Sequence, residues 1–150
     1  MTGLLLCLIV GVTDGDTLTA RCGEPGTYEQ IQVRLAEIDA PERKQPFGTV
    51  SRQHLAALCF EQQATIRQEK KDRYGRTVGR VSCRGKDASA EQVRAGMAWA
   101  YTKYLTDPTI RESETAARSA GRGLWRDAEP IPPWAWRKGA RSHDDLTLSR

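Results

Sequence analysis

The sequence has no long apolar run: its longest, residues 4–10, holds seven residues, whereas a membrane-spanning helix needs 18 or more. It has no Cys-x-x-Cys pair and only two histidines, so no zinc-site spacing can be recognised. The composition is neither that of a coiled coil nor that of collagen. These absences exclude a helical membrane protein and the fibrous classes. What remains, at 150 residues and 28% charged, is a single globular domain.

Positive charge is scarce in the first half of the chain and concentrated in the second. Residues 1–75 carry a net charge of −1 and residues 76–150 carry +5. The densest stretch, residues 67–86, contains eight basic and two acidic residues. A local excess of this size indicates a polyanionic partner, and nucleic acid before a membrane because no basic amphipathic helix accompanies it. A solvated face on a pair of strands explains the same charge equally well.

Four cysteines, Cys7, Cys22, Cys59 and Cys83, fall on separate predicted elements. An even number with this spread suits two disulfides in an oxidising compartment, which predicts a secreted or periplasmic protein. The alternative is four buried thiols in a cytoplasmic protein. The sequence by itself leaves all three pairings open.

The apolar stretch near the start resembles the hydrophobic region of a signal peptide, but it lacks a basic beginning and an Ala-x-Ala-like cleavage site. Cleavage after it would also remove the first predicted strand. We therefore expect that this stretch belongs to the folded domain, and that any signal was removed or lies upstream.

The first half of the chain is predicted to be mostly strands. Alternation of apolar and polar residues and the turn residues between them predict five strands and two turns. The strands are residues 4–12, 17–22, 30–38, 64–68 and 76–83, and the turns are Asp14-Gly15-Asp16 and residues 70–75. One helix, residues 48–60, is predicted between the third and fourth strands.

Two more helices are predicted after the strands. Ser89 and Gln92 have capping-box spacing for a helix that Gly96 closes, and Asp107-Pro108 opens a helix running to about residue 120. Trp134 and Trp136 are expected to hold a proline-rich segment against the rest of the protein. The sequence thus predicts an α+β fold, a five-stranded OB-fold barrel with about three helices over residues 1–137, and a disordered polar tail over residues 138–150.

Charged residues at the strand ends form a chemically coherent set. Asp16 and Asp39, with a neighbouring backbone carbonyl, provide hard oxygen ligands that suit Ca²⁺. Arg34 and Arg76 could each donate two hydrogen bonds to a phosphoryl group. Glu42 could activate a water molecule. Each residue alone is explained by a turn, a salt bridge or a strand end, but together they are the parts needed for metal-assisted phosphodiester hydrolysis.

The order and spacing of these residues resemble the staphylococcal nuclease family over residues 10–125. The matching segments are Val12-Thr13-Asp14-Gly15-Asp16-Thr17, Val33-Arg34-Leu35, Ile38-Asp39-Ala40-Pro41-Glu42, Asp72-Arg73-Tyr74-Gly75-Arg76, Ala90-Glu91-Gln92-Val93-Arg94-Ala95-Gly96 and Gly123-Leu124-Trp125. One departure is the short loop 43–46, where the founding member of the family has a long basic loop. Substrate affinity and size preference are therefore the properties expected to differ.

The resemblance implies an OB-fold enzyme that hydrolyses DNA and RNA with Ca²⁺ and leaves 5′-hydroxyl and 3′-phosphate ends. By position it implies metal ligation by Asp16, Asp39 and the Ala40 carbonyl, catalysis by Arg34, Glu42 and Arg76, and nucleotide contacts by Arg73, Tyr74, Tyr101 and Tyr104. It also implies that the first helix packs on the barrel, which favours a Cys59–Cys83 disulfide. A regular hairpin around Asp14-Gly15-Asp16 would place Cys7 opposite Cys22, which favours the other disulfide.

Two other functions fit parts of the sequence. A non-catalytic OB domain could bind nucleic acid without cutting it, and an extracellular interaction domain could use the same disulfides. Since all five charged residues of the motif are present, we interpret the chain as a nuclease. It is expected to be a monomer with no membrane partner.

Overall fold

The computed structural model describes residues 3–142 and confirms the α+β architecture. The strands are β1 (Gly3–Asp14), β2 (Thr17–Cys22), β3 (Glu29–Leu35), β4 (Ile38–Asp39), β5 (Gln63–Lys71), β6 (Thr77–Cys83), β7 (Lys86–Asp87) and β8 (Trp99–Ala100). The helices are α1 (Gly48–Cys59), α2 (Ala88–Arg94), α3 (Pro108–Ser119) and α4 (Pro133–Arg137), with short 3₁₀ turns at Thr102–Tyr104 and Gly123–Arg126. None of the helices described is long and apolar enough to span a membrane.

Five strands close into a barrel. They are hydrogen-bonded in the order β3-β2-β1-β5-β6, and β3 returns to pair in parallel with β6 from Val33↔Thr77 to Leu35↔Gly79. The other pairs within the barrel are antiparallel. Because of this closure, each of the five strands has a hydrogen-bonded neighbour on both sides. It is the OB-fold barrel that the strand pattern predicts.

Alternating apolar side chains from the five strands fill the barrel. Ile9, Leu18, Val33, Ile66 and Val81 are all completely buried. The inward position at every second residue is what a half-buried strand produces. The core therefore holds the strand ends, and the charged residues that follow them, in fixed positions.

Both predicted disulfides are present. Cys7 and Cys22 face each other across the β1–β2 hairpin, with Cα atoms 4.1 Å apart. Cys59, the last residue of α1, is joined to Cys83 at the end of β6, with Cα atoms 5.3 Å apart. The first disulfide closes the hairpin that carries the Asp14–Asp16 turn, and the second ties α1 to the barrel.

The structure differs from the sequence-based prediction in several details. The predicted strand 30–38 ends at Leu35, because Glu37 takes a positive φ of 70° in the turn before β4. Strand β5 continues to Lys71, so the turn before β6 is shorter than predicted. The N-cap of α2 is Asp87, whose carboxylate accepts a hydrogen bond from the Ala90 N–H, and the predicted capping box at Ser89 is wrong. The Ser89 hydroxyl is buried and donates to the Ala36 carbonyl instead. Helix α4 was not predicted, and most of the predicted tail, 138–150, lies outside the described residues.

Arg80 on β6 joins the barrel to the starts of two helices. Its guanidinium donates to the carboxylates of Glu37, in the turn after β3, Asp87, the N-cap of α2, and Asp107, the N-cap of α3. Glu37 also accepts hydrogen bonds from the backbone N–H groups of Thr106 and Asp107. The side chains of Arg80 and Glu37 are largely buried. This cluster fixes the turn that leads from β3 to β4.

Replacing Arg80 with methionine is expected to lower the free energy of unfolding by about 3–5 kcal/mol, because it leaves the buried Glu37 carboxylate without its positively charged partner. Urea unfolding measures the loss. The matched control is Arg94→Met, which removes an exposed guanidinium paired with Glu91 and should cost about 0–1 kcal/mol. Equal losses in the two variants would contradict a special role for the Arg80 cluster.

Candidate active site

One cavity of about 1110 Å³ opens at the end of the barrel where β3, β4 and the β5–β6 turn meet. Of the ten residues predicted to form the site, nine line it: Asp16, Arg34, Asp39, Glu42, Arg73, Tyr74, Arg76, Tyr101 and Tyr104. The tenth, Ala40, is buried behind the wall and is not a lining residue. Four of the eight basic residues in the stretch 67–86 also face this cavity: Lys70, Lys71, Arg73 and Arg76.

Asp16 and Asp39 are brought together by Arg34. The Arg34 Nη1 atom lies 3.3 Å from Asp16 Oδ2, and Nη2 lies 3.3 Å from Asp39 Oδ1. Nη1 also donates to the backbone carbonyls of Leu35 and Ile38, which anchor the guanidinium in the turn between β3 and β4. Both carboxylates are buried, Asp39 with only 1% of its surface exposed. Two aspartates from separate parts of the chain thus share one guanidinium group.

The Asp14–Asp16 turn is held from behind by buried polar groups. Gln92 on α2 is fully buried and donates a 2.8 Å hydrogen bond to the Gly15 carbonyl. A Cβ atom at Gly15 would lie 1.8 Å from the Ser51 hydroxyl of α1, so this close approach requires glycine. His54 Nδ1 contacts the Gln92 side chain, so this histidine supports the turn and takes no place in the cavity.

Glu42 is placed by the short loop before α1. The Gln45 N–H donates to the Glu42 carbonyl, and the Gln45 side chain accepts from the Glu42 N–H. A Cβ atom at Gly48 would lie 2.1 Å from the Glu42 carbonyl oxygen, so the helix can start this close only with glycine. The loop that the sequence showed to be short is therefore compact, and it orients Glu42 towards the cavity.

The opposite wall is formed by the β5–β6 turn. Asp72 accepts hydrogen bonds from the backbone N–H groups of Tyr74 and Arg76 and from Arg76 Nε at 2.7 Å. These bonds outweigh the effect of partial burial and lower the pKa of Asp72. Tyr74 is exposed, and the guanidinium groups of Arg73 and Arg76 lie 5.0 and 5.6 Å from its ring centre. The turn thus presents two cations and one aromatic face to the cavity.

Tyrosines form a second aromatic surface. Tyr101 and Tyr104 meet edge to face with ring centres 5.0 Å apart. Lys70 and Lys103 lie 4.8 and 5.4 Å from the Tyr104 ring centre. Tyr104 is exposed, and an exposed aromatic ring beside basic side chains is typical of surfaces that bind single-stranded nucleic acid.

Four carboxylates, those of Asp14, Asp16, Asp39 and Glu42, line this part of the cavity. Burial raises the pKa of Asp39, against the lowering effect of its hydrogen bonds from Arg137. Burial also raises the pKa of Asp14, and the negative charges of Asp16 and Glu42 raise it further. A bound cation would relieve this repulsion.

Comparison with known proteins shows which family the chain belongs to. The family model described as staphylococcal nuclease homologue matches residues 32–127. The chain belongs to the staphylococcal nuclease family. Within the family, it is 42% identical to a Haemophilus influenzae protein named "Uncharacterized endonuclease" over 132 residues, which are 88% of this chain and 72% of that protein. It is 39% identical to "Micrococcal nuclease" of Shigella flexneri over 145 residues, which cover 89% of this chain and 81% of that protein.

A basic cavity residue beyond the C-terminal end of this family match was missed by the sequence analysis. Arg137, at the end of α4, donates from both terminal nitrogens to Asp39 and from Nη1 to Glu42. Pro132 and Pro133 before it are a signal for a helix start. No sequence pattern links residue 137 with residue 39, however. The predicted roles of the nine lining residues and of Ala40 stay predictions.

Proposed function

We propose that this chain, a nuclease of the staphylococcal nuclease family, hydrolyses DNA and RNA with Ca²⁺ as cofactor, by in-line attack of water. The products would carry 5′-hydroxyl and 3′-phosphate ends. The observation that carries this proposal is the joining of Asp16 and Asp39 by Arg34 in a cavity that also holds Glu42 and Arg76.

The donor set fits a hard cation. Asp16 and Asp39 supply carboxylate oxygens, and residues 3–142 contain no cluster of three or more His, Cys, Asp and Glu side chains that would form a fully protein-ligated site. Backbone carbonyl, water and substrate phosphate would complete the shell, an arrangement that suits Ca²⁺ better than Mg²⁺. When bound, the cation would neutralise charge on the scissile phosphate and polarise its oxygen.

Arg34 and Arg76 would bind the phosphate from two sides of the cavity. Each guanidinium is held by the protein: Arg34 by two backbone carbonyls and Arg76 by the Asp72 carboxylate. Donors that are fixed before the reaction can stabilise the extra negative charge of a pentacoordinate phosphorus. Arg73, Tyr74, Tyr101 and Tyr104 would hold the flanking nucleotide.

Glu42 would take a proton from the attacking water. The water oxygen would bond to phosphorus as the P–O5′ bond breaks. The leaving oxygen would take a proton from solvent to become the 5′-hydroxyl, and Glu42 would return its proton to solvent. The Glu42 and Asp39 carboxylates both lie within 3.1 Å of Arg137 Nη1, so the proposed base is close to the proposed metal ligand. This proximity supports a water molecule shared between the two.

The decisive experiment is cleavage of plasmid DNA, and of an RNA oligonucleotide, in Ca²⁺, in Mg²⁺ and in EGTA. We expect cleavage in Ca²⁺, little in Mg²⁺ and none in EGTA, because the site supplies few rigid ligands. Polynucleotide kinase should label the products directly at their 5′-hydroxyl ends. Asp39→Asn should abolish cleavage, and the exposed Asp127→Asn is the control with the same charge change.

Two outcomes would contradict the proposal. Equal cleavage in Mg²⁺ and Ca²⁺ would refute the calcium preference. Binding of DNA in a mobility-shift assay without cleavage in any cation would mean that the chain is a non-catalytic OB module.

We also propose an oxidising location, secreted or periplasmic. The pairing of all four cysteines in two disulfides supports it, since such bonds are rare in the reducing cytoplasm.

A further inference from the structure

Arg137 forms ion pairs with two carboxylates of the candidate active site. Its Nη2 donates to Asp39 Oδ2 at 2.7 Å, and its Nη1 donates to Asp39 Oδ1 at 3.1 Å and to Glu42 Oε1 at 2.7 Å. These hydrogen bonds, from Asp39 first, raise the pKa of Arg137 despite its partial burial. The guanidinium is therefore fully charged and spans the proposed metal ligand and the proposed base.

The contacts of Arg137 leave little of Asp39 for another cation. Oδ2 accepts from Arg137, and Oδ1 accepts from Arg137 and from Arg34. A divalent cation held by Asp16 and Asp39 needs at least one Asp39 oxygen as a ligand. It would also lie next to the positive guanidinium of Arg137, and the two positive charges would repel each other.

Of the two arginines on Asp39, Arg137 is the one placed to withdraw. Arg34 is fixed by two backbone carbonyls and its side chain is 14% exposed. Among the described residues, the hydrogen bonds of the Arg137 guanidinium go to carboxylates, and its side chain is 39% exposed. It also lies on the five-residue helix α4, which is too short to be stable without tertiary contacts.

Helix α4 is tied to the cavity by two further contacts. The Trp134 ring stacks on Tyr101, with ring centres 5.5 Å apart and planes inclined by 4°, and it meets Trp99 edge to face. Gln45 Nε2 donates to the Ile131 carbonyl just before the helix. A movement of Arg137 would therefore change the surroundings of a tryptophan, which gives an optical signal.

We propose that Arg137 is an internal competitor of the divalent cation: its guanidinium and the cation exclude each other at Asp39, so Arg137 sets the cation concentration at which the site fills. This inference rests on the proposed function, since it needs a cation at Asp16 and Asp39. It assigns a role in the reaction to a residue beyond the stretch that matches the family model.

Calorimetric titration of Ca²⁺ into the full chain, without nucleic acid, tests the competition. Arg137→Ala should bind Ca²⁺ at least about tenfold more tightly than the wild type. In the wild type Ca²⁺ must displace the Arg137 guanidinium, which occupies Asp39 in most molecules, and in the variant it need not. Arg137→Lys keeps the charge but cannot hold both Asp39 oxygens, so its affinity should lie between the two. Lys138→Ala, which removes the same charge from the adjacent exposed residue, should stay within about twofold of the wild type.

Tryptophan emission provides the second readout. In the wild type, Ca²⁺ should change the emission with the same midpoint as the calorimetric titration, and Trp134→Phe should remove most of the change. In Arg137→Ala the midpoint should move to lower Ca²⁺ concentration. These measurements do not depend on turnover.

The outcomes separate this inference from the function on which it rests. An unchanged or weaker Ca²⁺ affinity in Arg137→Ala, beside a wild type that binds Ca²⁺, would overturn the competition and leave the calcium site intact. An unchanged Ca²⁺ affinity with a raised KM for DNA would identify Arg137 as a phosphate ligand and would also overturn it. If neither the wild type nor any variant binds Ca²⁺, both the competition and the calcium site are wrong.

Discussion

Arg34→Lys is expected to reduce the rate of DNA cleavage by at least about 10²–10³-fold, the range for loss of one preorganised transition-state donor. The Arg34 guanidinium contacts Asp16, Asp39 and two carbonyls with its two terminal nitrogens, and a lysine ammonium cannot span these acceptors. The substitution keeps the charge, so the loss measures the geometry of the guanidinium. Initial rates at saturating Ca²⁺ give the value.

Arg76→Lys should lose activity on the same scale, although Arg76 lies on the other wall and is held by Asp72. The control is Arg94→Lys, which makes the same change in an exposed ion pair of α2 and should keep wild-type activity. Near-normal turnover in Arg34→Lys or Arg76→Lys would mean that the phosphate ligands have been assigned wrongly. Ca²⁺ titration of Arg34→Lys separates lost phosphate binding from displaced metal ligands.

The sequence predicts well those features that depend on neighbouring residues. Alternating apolar side chains and the Asp14–Asp16 turn locate β1 and β2, and their register predicts the disulfide between Cys7 and Cys22. Asp107-Pro108 likewise opens α3, where the Asp107 carboxylate accepts from the Thr109 N–H. In each case the deciding interaction spans a few residues or one hairpin.

The start of α2 shows why local patterns can mislead. Ser89 and Asp87 both belong to residue types favoured at N-caps, and the spacing to Gln92 favours Ser89. The structure uses Asp87, because Arg80 holds its carboxylate from β6 while Ser89 is buried against the Ala36 carbonyl. Tertiary contacts decide between two locally acceptable caps.

The candidate site likewise contains residues that the sequence predicts and one that only the structure shows. Asp16, Arg34, Asp39 and Glu42 are found from sequence because their order and spacing resemble the staphylococcal nuclease family. The closed barrel then brings them to one cavity. Arg137 reaches Asp39 from 98 residues away, on a short helix whose position depends on Trp134 packing against Tyr101. Such a contact leaves no periodicity in a single sequence, so only the folded structure reveals it.

Glu42→Gln is expected to lower the cleavage rate by roughly 10²–10⁴-fold, the contribution of a positioned general base. Glutamine has nearly the same shape, and its amide oxygen can still accept the hydrogen bond that Arg137 now donates to Glu42. What it cannot do is take a proton from water. The variant should therefore fold normally and bind DNA, and single-turnover cleavage at saturating Ca²⁺ should show the loss in the chemical step.

The same charge change on the exposed face of α3, Glu112→Gln, is the control and should leave the rate unchanged. If Glu42→Gln retains more than about a tenth of the wild-type rate, well above the range for a lost base, then Glu42 is not the base. The negative charge of Glu42, which glutamine lacks, would then serve to hold Arg137 beside Asp39, and Ca²⁺ affinity rather than the cleavage rate would change in the variant.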